Sequence, residues 1–206
     1  LTLTTAMGYS LSRPEFRLKK FYTWVIFIPM LFSGGLVASY VVNANILKLR
    51  NTIWVLILPL AVSSYNIVIC KTFFRSTVPE GIVESAMIDG ASQLRIFTSI
   101  VIPISKPLLA TISLFLCFGY WNDWYRSSMF STDSSTWELQ FYLYNMLNAS
   151  QALKAMSQAS SVPMDSMPGQ TMKLAMAVVA TGPVLIFYPF VQRYFVTGIT
   201  IGAVKG

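Results

Sequence analysis

The chain has 206 residues, of which 54% are hydrophobic and only 11% are charged. Because an ordinary soluble domain carries about 25% charged residues, this composition predicts a protein of the lipid bilayer. The net charge of +7 comes from basic residues that flank apolar runs, which argues against a nucleic-acid partner, and the lack of histidine removes the commonest metal ligand and catalytic base.

The first residues are apolar and are followed by a basic turn. Residues 1–12 are too few to cross a bilayer, because a spanning helix needs about 20 apolar residues. We interpret them as the end of a membrane helix whose N-terminal part precedes this sequence. Pro14 predicts a break after that helix, and the basic turn contains Arg13, Arg17, Lys19 and Lys20.

Four longer apolar runs predict membrane-spanning helices. They cover residues 21–42, 52–70, 107–130 and 171–192. Prolines and glycines interrupt them, which transmembrane helices tolerate when neighbouring helices satisfy the freed backbone groups. The two cysteines lie within these runs and are interpreted as small apolar residues. With no internal repeat, the pattern predicts one all-α transmembrane domain over residues 1–206, with five visible membrane segments or parts of segments.

The loop at residues 77–106 separates the second and third of these runs and has a helical pattern of its own. Thr77 and Glu80 fit a capping box, with a proline near the start of a short helix. Gly90 is placed to end that helix, because a left-handed backbone conformation costs glycine little.

A second short helix is predicted after the glycine. Ser92 is expected to cap it, and it is expected to cover residues 93–102 until Pro103 closes it. A helix–glycine–helix element between two membrane spans is typical of a docking element.

The distribution of lysine and arginine predicts the orientation in the membrane. If the basic turn and the 77–106 loop face the cytoplasm, ten of the 15 basic residues lie on that side. This bias follows the positive-inside rule, so residues 13–20 and 76–106 are predicted to be cytoplasmic and residues 131–168 external. The basic residues on the outer side are then Lys48, Arg50, Arg126, Lys154 and Lys173.

The predicted outer segment carries an aromatic cluster of Trp137, Phe141, Tyr142 and Tyr144. Aromatic faces stack on sugar rings, so one interpretation is contact with a sugar chain or with a binding protein. The alternative is an interfacial belt, because tryptophan and tyrosine favour the headgroup level of a bilayer.

Two groups of polar and aromatic residues lie within or beside the predicted spans. They are Tyr120, Trp121, Asn122, Asp123 and Trp124 in one run, and Tyr65 with Asn66. Polar groups in a membrane are costly unless they line a wet path, so these residues are candidates for a solute path. The alternative is that they join helices through hydrogen bonds.

The 77–106 loop also carries a family motif. Its sequence resembles the EAA loop of ABC-importer permeases, in which EAA is followed by three residues, a glycine, nine residues and I-x-L-P. The matching positions are Glu84, Ala86, Gly90, Ile100 and Pro103, while Ser85 replaces the second residue of EAA and Ile102 replaces the leucine. The runs ESAMIDGAS, VIPISKPLLATISLF, WND and YFVTGITIGAVKG resemble the carbohydrate branch (maltose-permease-like), and within it the permeases for oligosaccharides and polysaccharides, such as the alginate importer.

The resemblance covers nearly the whole chain and implies a type I ABC importer permease bundle in the bacterial cytoplasmic (inner) membrane. It implies a second, homologous permease subunit, giving a heterodimer, an extracytoplasmic solute-binding protein and a saccharide substrate. It also implies two cytoplasmic ATPase subunits, which bind ATP and Mg, while this chain binds no cofactor or metal itself. The residues that would contact the ATPases are Glu84, Ser85, Ala86, Met87, Ile88, Asp89, Gly90, Ala91, Ser92, Ile100 and Pro103. Residues 77–106 are called the coupling loop below.

Other functions stay open at this point. The EAA loop is shared across importers, so the solute could be a peptide or an inorganic anion, although the carbohydrate-type surroundings argue against both. A membrane-embedded enzyme acting on lipid or glycan would use Asp123, Glu138 or Asp165, but these carboxylates are scattered and lack a basic partner at useful spacing. The chain has no Walker A sequence, so ATP hydrolysis must come from a partner.

The outer basic residues bear on the charge of the solute. Arg126, Lys154 and Lys173 are placed to attract carboxylates, which predicts an acidic saccharide such as alginate. The alternative is that these side chains anchor helix ends by snorkelling, which suits Lys173 best.

Overall fold

The computed structural model describes the backbone of residues 1–160 and 169–203 and the side chains of residues 1–156 and 171–189. All regular structure in these ranges is helical. The predicted outer segment therefore lies partly outside the described residues, since these do not include 161–168 and hence Asp165.

The helices follow one another closely along the chain. In chain order they are α1 (Thr2–Ser12), α2 (Lys19–Leu31), α3 (Gly35–Tyr40), α4 (Ile53–Ala61), α5 (Ser64–Thr77), α6 (Glu80–Ile88), α7 (Gln93–Ile96), α8 (Ile102–Ile104), α9 (Lys106–Trp121), α10 (Tyr125–Phe130), α11 (Leu139–Ser160) and α12 (Gly169–Ala203). Two π-helical stretches, Val41–Ile46 and Phe97–Val101, follow α3 and α7, and a 3-10 turn covers Ser134–Thr136.

Several predicted spans are subdivided. The first of them, 21–42, is divided between α2 and α3 at residues 32–34, and the second continues beyond Cys70 to Thr77 after a break at Ser63. Ser63 starts α5 because its hydroxyl accepts a hydrogen bond from the Asn66 N–H at 3.4 Å. The third, predicted to reach Phe130, ends at Trp121.

Among the described residues, two helical stretches are long and apolar enough to cross a membrane. They are Ile53–Thr77 and Thr171–Pro189. A third is present if Gln93–Ile104 and Lys106–Trp121, which meet at 86°, are counted as one broken span. The broken helices agree with the many prolines and glycines of the apolar runs.

The described residues divide into two compact units. The first unit includes Leu1–Ser39 and Ile57–Phe118, and the second includes Tyr40–Leu56 and Gly119–Phe190. The coupling loop belongs to the first unit, whereas the run from Tyr120 to Trp124 belongs to the second.

The first unit is built on the contact between α1 and α5. Gly8 permits that contact, because a Cβ atom at this position would lie 2.4 Å from the Cβ of Cys70. The core that results includes Tyr9, Cys70, Phe74, Val78, Val83, Ile96, Val101, Leu108 and Ile112. Four of these residues, Val78, Val83, Ile96 and Val101, come from the coupling loop, so the loop is anchored in the core of the unit.

The second unit has a smaller core around α10. Phe130 stacks on Tyr40 with ring centroids 5.5 Å apart and packs with Val55 and Leu56 of α4. Asn51 joins the turn before α4 to the end of α10. Its N–H donates to the Phe130 carbonyl at 3.0 Å, and its side-chain oxygen accepts from the Thr132 N–H at 2.8 Å. The left-handed backbone of Asn51 (φ 58°) suits asparagine better than most residues.

Candidate coupling loop and candidate solute path

The first helix of the coupling loop begins without the predicted capping box. Thr77 is the last residue of α5, and Pro79 is the N-cap of α6, with no side-chain cap. The prediction is wrong because Thr77 is part of α5. The next residue, Val78, is extended and buried in the core of the first unit, so it separates α5 from α6. Glu80 still lies in the first turn of α6, where its negative charge interacts favourably with the positive end of the helix dipole.

Gly90 ends α6 in the predicted way. Its φ is +77°, its N–H donates to the Met87 carbonyl at 3.0 Å, and the Ala91 N–H donates to the Ala86 carbonyl at 2.9 Å. These two bonds form a Schellman motif, which satisfies carbonyl groups that the helix end leaves free. An added Cβ at Gly90 would meet no atom within 4 Å, so the requirement for glycine is conformational.

The second half of the loop agrees with prediction at its start and differs at its end. Ser92 caps α7, because its hydroxyl accepts from the Arg95 N–H at 3.4 Å. The chain then passes through a π-helical stretch into α8, which contains Pro103 and continues to Ile104. Pro103 does not close the helix, since a proline in a first helical turn needs no N–H partner.

The coupling loop has an inward and an outward side. Ala86, Met87 and Ala91 pack against the core of the first unit, and so does Ile100. The outward side contains the other predicted contact residues, namely Glu84, Ser85, Ile88, Asp89, Gly90, Ser92 and Pro103, which are all exposed. Ala86 and Gly90 do not share a helix face, because Gly90 follows the end of α6.

Two apolar side chains project from this outward side. Ile88 is 86% exposed and Leu94 is 72% exposed, on either side of Gly90. The sequence analysis included Ile88 but missed Leu94. The signal for Leu94 was available, since it lies between two polar residues and only two positions before Ile96, which fills the core.

Arg13, in the predicted basic turn, is buried. It is 6% exposed, and its guanidinium donates to the Phe74 carbonyl at 3.4 Å and to the Ser12 hydroxyl at 3.1 Å. It also lies over the ring of Tyr9, 5.0 Å from the centroid. The positive charge therefore stabilises the C-terminal end of α5, next to the start of the coupling loop.

The candidate solute-path residues of the first unit lie in the first turn of α5. Tyr65 is 57% exposed, whereas Asn66 is buried at 7%. The N–H of Asn66 is used by the Ser63 cap.

The candidate solute-path residues of the second unit connect α9, α11 and α12. The Trp121 indole N–H donates to the Ala180 carbonyl at 2.9 Å, which joins α9 to α12. Trp124 stacks on Tyr144 of α11, with ring centroids 4.6 Å apart and planes at 28°. Tyr120 is half-buried, and Asn122 is exposed.

Asp123 is buried and pairs with Arg126. The carboxylate accepts from both the side chain and the backbone N–H of Arg126, one turn further along the chain. This ion pair neutralises the buried carboxylate, so the position of Asp123 is satisfied without solvent. It also engages one of the three outer cations that were predicted to attract a carboxylated solute.

Glu138 forms a second acidic group near this pair, which the sequence analysis did not single out for transport. Its side-chain oxygen accepts from the Ser127 hydroxyl at 3.0 Å, and its N–H donates back to that hydroxyl at 3.2 Å. Burial raises the pKa of Glu138, and Asp123 raises it further, while the hydrogen bond from Ser127 and the charge of Arg126 oppose the shift.

A cavity of about 540 Å³ lies between α11 and α12 in the second unit. One face of α11 lines the cavity with residues three or four positions apart, namely Gln140, Leu143, Tyr144, Leu147 and Gln151. The facing side of α12 contributes Lys173, Met176, Ala177 and Ala180, and Trp124 also lines the cavity. No group of three or more histidine, cysteine or acidic residues that could hold a metal occurs among the described residues.

Apolar helices that can span a bilayer, with an exposed helix–glycine–helix loop between them, define a multi-pass membrane protein of the transport-permease class. The chain belongs to the family of binding-protein-dependent transport system inner membrane components, whose family model matches residues 2–201. The predicted all-α permease fold and the predicted inner-membrane location are thereby confirmed.

Known proteins of this family are similar over the whole chain. Protein LplC of Bacillus subtilis (strain 168) is 38% identical over 100% of this chain and 68% of its own length. The polygalacturonan/rhamnogalacturonan transport system permease protein YtcP of the same organism is 40% identical, over 99% of this chain and 70% of its own length. The crystal structure of a bacterial ABC transporter involved in the import of the acidic polysaccharide alginate contains a similar chain, with a TM-score of 0.79 and 26% identity, over 94% of this chain and 69% of that chain.

Proposed function

We propose that this chain is the non-catalytic translocation subunit of an ATP-driven importer for an oligosaccharide or polysaccharide, including acidic ones such as alginate. The observation that carries the proposal is the coupling loop, which is anchored in the core of its unit and leaves most of the predicted contact residues exposed. Such a loop suits a subunit that receives mechanical work from another protein. The similarity to a permease named for polygalacturonan and rhamnogalacturonan, and to a chain of a transporter involved in the import of alginate, supports the saccharide class.

Two cytoplasmic ATPase subunits, which carry ATP and Mg, are the proposed partners of the coupling loop. Ile88 and Leu94 supply the apolar part of the contact, and burying each is expected to contribute about 1.5–3 kcal/mol. Glu84 and Asp89 lie exposed beside them and are available for pairing with basic residues of the partner. Ala86, Met87 and Ala91 act from the inward side by fixing the loop to the core.

The remaining partners follow from the same proposal. A second, homologous permease subunit completes the path, and a soluble binding protein delivers the solute from outside. Alternating access then comes from rigid-body rocking of the two permeases as the ATPases close. Tyr65, Asn66 and the run 120–124 are the proposed contributions of this chain to the path.

The test is a copurified complex of this chain with its ATPase and permease partners, assayed for ATP hydrolysis with binding protein and candidate saccharides. We expect stimulation by an oligosaccharide or polysaccharide, and no hydrolysis by this chain alone. Hydrolysis that responds to a peptide or an inorganic anion but to no saccharide would overturn the proposed substrate class.

The docking part has a matched pair of variants. Ile88→Ser removes an exposed apolar side chain from the coupling loop, and Leu18→Ser removes one, 57% exposed, from the basic turn on the same predicted side of the membrane. We expect Ile88→Ser to reduce copurification of the ATPases and Leu18→Ser to leave it unchanged. Equal retention in both variants would contradict the docking assignment.

A further inference from the structure

We infer that the cavity between α11 and α12 is a binding site for the uronate units of an acidic saccharide. The inference rests on the proposed function and deepens it, because it assigns a site on this chain to the solute. The cavity volume of about 540 Å³ lies within the usual range of small-molecule sites, about 300–1,000 Å³.

The space exists because of the residues that α12 contributes. Ala177 and Ala180 face the cavity one turn apart and carry only methyl groups, whereas the neighbouring Met176 is buried at 6%. The bond from the Trp121 indole to the Ala180 carbonyl fixes this end of the α12 face. Because the facing side of α12 carries small side chains here, a gap remains beside α11 that larger side chains at positions 177 and 180 would fill.

The two aromatic residues that line the cavity suit a sugar ring. Trp124 and Tyr144 are stacked on each other, and yet they remain 40% and 42% exposed. The stack holds both rings in a fixed orientation, so an arriving ligand need not order them. The C–H faces of a pyranose are apolar and pack on such rings, while Leu143 and Leu147 extend the apolar wall.

The polar groups define the class of sugar. Gln140 and Gln151 lie at opposite ends of the α11 face, and their amides can both donate to and accept from hydroxyl groups. Among the described residues that line the cavity, Lys173 is the one cation and none is acidic. Among the described side chains Lys173 has no ion-pair partner, so its charge is available to a ligand carboxylate. A neutral sugar would use the aromatic wall and the amides and leave the cation without a partner.

The test compares two lysines of the outer side in the copurified complex. Lys173→Gln removes the cation in the cavity, and Lys154→Gln removes one from α11 at a position that does not line it. We expect Lys173→Gln to raise the concentration of uronate oligomer required for half-maximal ATPase stimulation by about ten- to a hundredfold, the loss typical of a hydrogen bond to a charged group. Lys173→Arg is expected to retain most of the response, and Lys154→Gln to change it less than threefold by our estimate of a rim charge (about 0.5 kcal/mol).

A direct measurement accompanies the activity. We expect uronate oligomers to change the tryptophan fluorescence of the complex, and Trp124→Phe to reduce that change. Equal responses to uronate oligomers in wild type, Lys173→Gln and Trp124→Phe would overturn the site. A wild-type complex that responds to neutral oligosaccharides but not to uronates would overturn the inference and leave the proposed function standing, whereas a response to no saccharide would overturn both.

Discussion

The phenol of Tyr9 donates a hydrogen bond to the side-chain oxygen of Gln93 at 3.3 Å, 84 residues further along the chain. Tyr9 lies in α1 and is buried, and Gln93 is the first residue of α7 in the coupling loop. The Gln93 amide also contacts the Met87 sulfur at 3.2 Å. These two contacts therefore connect α1 with α7 and α6 of the coupling loop.

Tyr9→Phe tests whether this bond transmits work. The variant keeps the ring, which packs 5.1 Å from Phe97 and 6.0 Å from Phe74 between centroids, and removes only the hydroxyl. We expect a loss of about 0.5–1.5 kcal/mol of stability. We also expect weaker solute stimulation of ATP hydrolysis, while the complex still assembles.

The control for this prediction is Tyr22→Phe. Tyr22 lies in α2 with its ring beside Phe16 and Phe21, and its hydroxyl makes no hydrogen bond to the described residues. Its removal should leave the stimulated rate unchanged. If both variants retain the full ratio of stimulated to unstimulated hydrolysis, the bond has no role in coupling.

Gly90→Val is predicted to impair coupling through the backbone. A β-branched residue at φ +77° is strained by about 1–3 kcal/mol, and relief of the strain would unwind the Schellman motif between Ala86 and Ala91. The permease should still insert and pair with its partner, but ATPase binding or solute-stimulated hydrolysis should be lost. Gly90→Asn is expected to retain both, since asparagine tolerates a left-handed conformation.

Gly35→Val separates general strain from the role of the loop. Gly35 has φ +76° and open space around an added Cβ, as Gly90 has, but it lies at the start of α3. Its variant should lose a similar amount of thermal stability and keep its coupling to the ATPases. A Gly90→Val complex that transports at the wild-type rate would refute the assignment of the loop.

The orientation can be tested by labelling single cysteines in a background of Cys70→Ala and Cys117→Ser. Asn148→Cys and Ser92→Cys place thiols at exposed positions in α11 and in the coupling loop. A membrane-impermeant reagent added from outside should modify position 148 and leave position 92 unmodified. The neighbouring Ser150 is unsuitable because it is buried at 7%. The reverse pattern would invert the predicted topology.

Glu138 is predicted to make stability depend on pH. Its pKa in the folded protein is raised above the ordinary value of 4.5, chiefly by burial, so its stabilising contribution is full below that value and is lost as the pH rises through the raised pKa. Glu138→Gln keeps an oxygen that can accept from Ser127 and removes the charge. With rising pH, the thermal midpoint of the variant should therefore increase relative to that of the wild type.

Asp133 provides a control of opposite sign. Hydrogen bonds from the Ser135 N–H and side chain lower its pKa from the ordinary value of 3.8, so its contribution is present above that value and is lost as the pH falls. Asp133→Asn should lose stability relative to wild type as the pH rises. Identical pH profiles for Glu138→Gln and wild type would show that burial does not perturb the Glu138 carboxyl.

The sequence by itself determined the features that depend on a few consecutive residues. Apolar runs determined the membrane class, Gly90 determined the end of α6, and Ser92 determined the start of α7. Each rests on local chemistry, since the positive φ at Gly90 and the hydroxyl cap at Ser92 require no distant partner. The family motif was readable for the same reason, because its spacing is contained in one loop.

Tertiary structure decided which side of each local element is used. Arg13 lies in the predicted basic turn, and tertiary structure buries it there because the end of α5 supplies a carbonyl acceptor and Tyr9 a ring. The inward position of Ala86 depends on the core assembled around Tyr9, and the cavity beside Tyr144 depends on how Trp121 holds α12. The hydrogen bonds of Arg13 to Phe74 and of Trp121 to Ala180 join residues that are 61 and 59 positions apart. Hydrogen bonds and packing act over about 3–4 Å, and a linear pattern does not show which distant residue lies that close to a given side chain.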